Sequence, residues 1–90
     1  MITVYVLLSE KDAATYVGMA LDPLVRLKEH NGRKNRYTKG HIPWKIIYEE
    51  KHPDWSLARL REKYLNSTAG KNWLRKYLNE NGGITGSLPA

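Results

Sequence analysis

Glu62 is the residue whose setting most demands a chemical explanation. On a helix, Ala58 lies four positions before it and Leu65 three after, so apolar side chains flank the carboxylate and it is at least partly buried. An unpaired buried charge costs several kcal/mol, so a cation must neutralise it, either a basic side chain or a metal ion. On pattern alone a salt bridge to one of the many Arg or Lys is the simpler answer. Hard divalent cations nevertheless favour oxygen ligands and often take only one or two carboxylates while keeping several waters. Arg26 and His30, four apart, share a helix face. The first is a phosphate clamp or a solvated charge, and the second a catalytic group or a satisfied structural histidine. Tyr5 and Tyr16 fall in short strand-like runs, where an aromatic is usually core. None of these residues proves catalysis alone.

The elements that must position them follow from periodicity. Residues 2–8 and 15–19 are rich in β-branched and aromatic types, and the polar stretch Ser9 to Ala14 between them predicts an antiparallel hairpin. Ile2, Val4, Val6 and Leu8 share one strand face and Thr3, Tyr5 and Leu7 the other; Tyr16 and Gly18 likewise share a face. The two tyrosines therefore fit on one side of the sheet, beside a spot left bare by glycine. Asp22-Pro23 is a helix-start signature for a helix running to Asn31-Gly32. Residues 33–42 read as a basic surface loop, and Trp44 to Glu50 as a third strand. Pro53-Asp54 opens a second helix from about Trp55 to Asn66. Gly70 introduces a third, from about Lys71 to Asn79, with an apolar stripe at Trp73, Leu74, Tyr77 and Leu78 and closed by Gly82-Gly83.

Ninety residues, 41% of them hydrophobic, with three Trp and six Tyr, make one folded domain over residues 1–81 with a short flexible tail, 82–90. With no cysteine, disulfides, thiolate metal sites and thiol nucleophiles are excluded. No apolar run approaches the roughly 18 residues of a membrane span, and a cytoplasmic protein without a membrane partner is expected. The net charge of +6 is unevenly placed: from Arg26 to Lys45 there are seven Lys or Arg against one acid, Glu29. Such concentration favours a polyanion, nucleic acid first, because basic side chains and phosphates associate by counterion release. A solvated basic face is the plainer alternative.

The order of these pieces resembles the GIY-YIG nuclease domain, in particular small single-domain members related to the N-terminal incision module of bacterial excision repair. The resemblance covers residues 2 to about 78: Thr3-Val4-Tyr5, Tyr16-Val17-Gly18, Asp22 through Asn31, Thr38, Pro43-Trp44, and Ala58 through Leu65. It implies an α+β fold, a small three-stranded mixed sheet flanked by about three helices. It further implies that Tyr5, Tyr16, Arg26, His30 and Glu62 converge as catalytic residues on a basic surface. Glu62 would hold one divalent cation, Mg2+ or Mn2+. Tyr5 would act on the attacking water, Tyr16 would bond the water or the scissile phosphate, Arg26 would stabilise phosphate charge, and His30 would assist proton transfer or position a tyrosine. Three positions depart from the family pattern: Thr3 stands in place of glycine, Met19-Ala20 follows the second motif, and Asn66 stands where small members often carry lysine.

The resulting expectation is a metal-dependent endonuclease acting on DNA, with a place in DNA repair and no small-molecule cofactor. Arg33, Lys34, Arg36, Lys39, Lys45 and Asn72 are the expected nucleic-acid contacts. The first competing class is a non-catalytic nucleic-acid-binding module that keeps the fold and the basic face. The second is a subunit that docks its basic loop on an acidic protein partner. Specificity for DNA shape fits a chain this short better than base reading.

Overall fold

Strict alternation of Ile2, Val4 and Val6 with Thr3, Tyr5 and Leu7 gives a strand with two different apolar faces, and such a strand belongs in the middle of a sheet. In the computed structural model, which describes residues 1–80, this segment is β1 (Ile2–Ser9), buried along nearly its whole length. It is flanked by β2 (Thr15–Ala20) and β3 (Trp44–His52) in the order β2-β1-β3. Both pairings are antiparallel, so the sheet is antiparallel throughout and not mixed as the resemblance implied. The reason is topological: β2 and β3 run the same way, but β1 lies between them and they never pair. The expected tail, 82–90, and the Gly82-Gly83 helix end lie outside the described residues.

The helices, one before β3 and two after it, cover the two sheet faces. α1 (Pro23–Asn31) starts where the Asp22 side chain accepts from the Leu24 amide at 3.0 Å. It is followed by a 3-10 turn, Thr38–His41, inside what reads from sequence as a surface loop; Thr38 there is fully buried. α2 (Trp55–Asn66) starts where Asp54 accepts from the Leu57 amide at 2.9 Å. α3 (Thr68–Glu80) begins earlier than the expected Lys71. Gly70 lies inside it and does not introduce it: a Cβ there would stand 1.8 Å from the Tyr64 carbonyl oxygen, so glycine serves close packing of α3 on the end of α2.

Two apolar clusters result. On the first face Ile2, Val4, Val6 and Val17 meet Ala58, Leu65, Leu74 and Leu78 of α2 and α3. On the second, Tyr5, Leu7, Ala20 and Trp44 meet Tyr16, Leu27, Ile42 and Ile46 beneath α1 and the 3-10 turn. A register shift opposite Val6 and Leu7 leaves Ile47 without a partner in the ladder, a bulge that puts Ile47 and Tyr48 together on the first face while Ile46 stays on the second. Among the described residues, no helix is long and apolar enough to cross a membrane.

Candidate active site

The second face carries the polar chemistry. Strand alternation points Tyr5 into it directly opposite Gly18 of β2. A Cβ at position 18 would lie 2.6 Å from the Tyr5 hydroxyl oxygen and 3.0 Å from the Tyr16 ring, so the absent side chain makes the room in which the two tyrosines meet. The hydroxyl reaches His30 Nε2 at 3.2 Å, and His30 Nδ1 reaches Thr38 Oγ1 at 2.9 Å. His30 is 1% exposed and Thr38 0%. The Tyr16 ring lies against the imidazole, centroids 4.8 Å apart.

Buried imidazoles need both nitrogens satisfied, and the network assigns the protons. Thr38 Oγ1 has the Asn35 carbonyl 3.5 Å away as an acceptor for its own proton. It is then free to accept from His30 Nδ1–H, which leaves the Nε2 lone pair for the Tyr5 hydroxyl. Burial, and then the charge of Arg26, holds the His30 pKa below its ordinary value, with Glu29 opposing, so the imidazole is neutral at pH 7. Burial likewise raises the Tyr5 pKa, and the nearby Arg26 guanidinium works against that rise. Tyr5 is therefore a protonated phenol beside a neutral base and a fixed cation.

Arg26 and His30 occupy successive turns of α1, which is why both reach Tyr5. The guanidinium is half-exposed and is held from its other side by Glu29 at 2.9 Å. Around it opens a hollow lined by Arg26, Glu29, His30, Lys34 and Asn35. Four of the five expected catalytic residues thus form one cluster: Tyr5, Tyr16, Arg26 and His30.

Among the described residues no hydrogen bond or ion pair joins Glu62 to that cluster. Its side chain is 24% exposed, as its Ala58 and Leu65 flanks predict, and its ion-pair partner is Arg59, loosely, at 4.0 Å. Its place follows from its helical neighbours. Arg59, three before, lines a hollow with Met19; Asn66, four after, lines another with Thr15, Tyr16 and Val17. Glu62 lies between them on the α2 edge that follows the outer edge of β2, the strand carrying Tyr16 and Gly18. Among the described residues no group of three or more His, Asp or Glu could hold a metal. A half-buried carboxylate held loosely by one exposed arginine fits a hard divalent cation that keeps most of its waters, and does not fit a closed protein cage.

The expected nucleic-acid contacts are distributed unevenly. Lys34 lines the Arg26 hollow, and Arg33, in a left-handed conformation with φ 67°, is exposed beside it. Arg36 and Lys39 are exposed around the 3-10 turn, and Lys45 is exposed on β3. Asn72 is exposed on α3 and makes no recorded contact with the Tyr5 cluster. Sequence reasoning missed the residues that hold the histidine. Asn35 Oδ1 accepts from the Tyr37 and Thr38 amides, the Trp44 indole donates to the Thr38 carbonyl at 2.8 Å, and Asn31 clamps both backbone groups of Trp44. The available signal was Asn35 two residues before Tyr37, an Asx-turn spacing inside an apparently featureless loop.

Comparison with known proteins places the chain in a family. A family model described as the GIY-YIG catalytic domain matches residues 1–78. A UPF0213 protein of Streptococcus sanguinis (strain SK36) is 37% identical over 52 residues, covering 57% of this chain and 60% of that protein. The chain thus spans less than two thirds of the relative it matches. No solved structure matches.

Proposed function

Since the chain belongs to the GIY-YIG family, a family of nuclease domains, we propose that it is an endonuclease that hydrolyses DNA phosphodiester bonds with one divalent cation, Mg2+ or Mn2+, held by Glu62. The observation that carries the reading is the buried path from the Tyr5 hydroxyl through neutral His30 to Thr38, with the Arg26 charge acting on the same hydroxyl. A water attacking the phosphate gives its proton to the Tyr5 oxygen as Tyr5 passes its own to His30 Nε2, and the bond to the leaving sugar oxygen breaks, that oxygen taking a proton from solvent. The imidazolium so formed keeps its Nδ1–H bonded to Thr38 and gains from the nearby charge of Glu29. Arg26, held on line by Glu29, stabilises the charge that builds on the phosphate, and Tyr16 orients the water or a phosphate oxygen. The bound cation would supply further positive charge at the phosphate. Arg33, Lys34, Arg36 and Lys39 would attract the backbone around the cleft, with Lys45 and Asn72 at its margins. The same reading puts the protein in the cytoplasm and makes branched or damaged DNA its natural target.

One observation favours the runner-up, a binding module that does not cut: Glu62 pairs with Arg59, and no hydrogen bond or ion pair among the described residues joins it to the other four. Glu62→Gln separates the two. Arg59 is 61% exposed, so a merely structural pair is worth no more than about 1 kcal/mol and its loss would scarcely move the melting temperature. Nicking of supercoiled plasmid is therefore the deciding readout. The nuclease reading expects magnesium-dependent nicking by the wild type, none by the Gln variant, and DNA binding at least as tight. Equal nicking by both proteins would remove Glu62 from the site, and no nicking by either would favour the binding module.

A further inference from the structure

Among the described residues β2 is an edge strand, and its outer side has no strand partner. Along that side lie two hollows. One, at the Thr15–Val17 end, lies between Tyr37 and the pair Asn66 and Lys71; the other, at the Met19 end, is formed with Trp55, Ser56 and Arg59. Each combines the same two ingredients, a solvent-exposed aromatic ring and a cation. Tyr37 is 55% exposed and Trp55 50%, while the other two tryptophans are spent on packing: Trp44 is 2% exposed and Trp73 packs against the first-face core. Tyr16 lines the first hollow, and Glu62 lies between the two on α2.

We propose that this edge is a track for a nucleic-acid strand with unpaired bases, which stack on Tyr37 and on Trp55 at either side of the scissile phosphate while Lys71 and Arg59 bind the flanking phosphates. Stacking on aromatic rings beside a cationic path is how proteins hold single strands without reading sequence, because every base has a π-face. A continuous duplex keeps its bases stacked on one another and has none to offer, so the track selects single-stranded segments such as flaps, gaps and branch points. A second copy of this chain is the other natural occupant of an open strand edge. Its net charge of +6 opposes that pairing and favours a polyanion. The inference rests on the nuclease reading for the position of the scissile phosphate and deepens it by naming the substrate class.

The test is equilibrium binding in EDTA, where cleavage cannot intervene, of a labelled oligothymidylate and a blunt duplex of equal length. Trp55→Ala and Tyr37→Ala should each weaken oligothymidylate binding roughly 5- to 150-fold and leave the duplex within about twofold. Trp55→Phe, which keeps a ring at an exposed position, should recover most of the affinity, and a native melt for that variant shows that lost stacking and not misfolding is read. Oligothymidylate should also quench wild-type tryptophan emission, a response that Trp55→Phe removes. Equal losses on both substrates, no loss on either, or a dimer by light scattering that the strand fails to dissociate would each overturn the track. Ring-dependent binding by a protein that never nicks would retire the nuclease reading and uphold the track. Nicking that ignores both rings would do the reverse.

Discussion

The two faces of the sheet are built from alternate residues of the same strand and have opposite characters. On the first face Ile2, Val4 and Val6 meet Ala58, Leu65, Leu74 and Leu78, and the polar groups of that face, Tyr48, Glu50, His52 and Arg61, bond one another where they are only part-buried. On the second, the next residues along, Tyr5 and Leu7, share their layer with a buried histidine, a buried threonine and a hydrogen-bonded indole. One face can tolerate the cost of fully buried polar groups because the fully buried residues of the other are apolar. Stability and chemistry are therefore separated by a half-turn of side-chain direction and not by distance along the chain.

If that division is real, matched substitutions should part company. Leu65→Ala, at a fully buried first-face position, should lower unfolding free energy by about 2–5 kcal/mol while cleavage per folded molecule hardly changes. Tyr5→Phe removes one hydroxyl from the second face. It should cost about 1–3 kcal/mol, because His30 Nε2 loses its partner, yet reduce cleavage by roughly 10²- to 10⁴-fold. Urea titrations beside a nicking assay provide both numbers, and a Phe variant that cuts normally would dissolve the distinction.

A smaller effect sharpens it through pH. The folded protein holds His30 below the ordinary imidazole pKa, so the unfolded chain takes up its proton first. Stability should therefore decline as pH falls from about 6.5 through the lower folded value. Cleavage should decline over the lower part of that window, as the folded His30 charges and can no longer accept from Tyr5. His30→Gln should flatten the His30 contribution to both profiles; a cleavage profile whose acid limb persists in that variant would assign the limb to another group.

The smallest effect belongs to neither face. Arg33→Ala with Lys34→Ala should leave melting unchanged, weaken DNA binding similarly for all sequences, and reduce the slope of log affinity against log salt by roughly one to two. An unaltered slope would mean that these exposed cations meet no phosphate.

Much of this organisation was readable in the sequence, where the controlling interactions are local. The hairpin, the shared face of Tyr5 and Tyr16, the caps Asp22 and Asp54, and the partial burial of Glu62 all follow from spacings of two to four residues. What escaped depends on partners distant in the chain. The antiparallel sheet is fixed by β1 separating β2 from β3. Gly70 looked like a helix start because its crowding comes from Tyr64 in another helix. Thr38 looked like loop because its burial is conferred by His30 and Trp44. The convergence of Arg26 and His30 on Tyr5 was expected; the asparagines that fix the far side of the histidine were not.

Gly18 offers a way to uncouple holding a strand from cutting it. A single methyl added there would stand 2.6 Å from the Tyr5 oxygen and push the hydroxyl away from His30, while every cation on the surface and the carboxylate of Glu62 would remain in place. Most inactivating changes in a nuclease also alter the field that draws in its substrate. Gly18→Ala alters none of that field, so it would give a protein that captures its natural targets and does not release them as fragments, a bait for finding what those targets are.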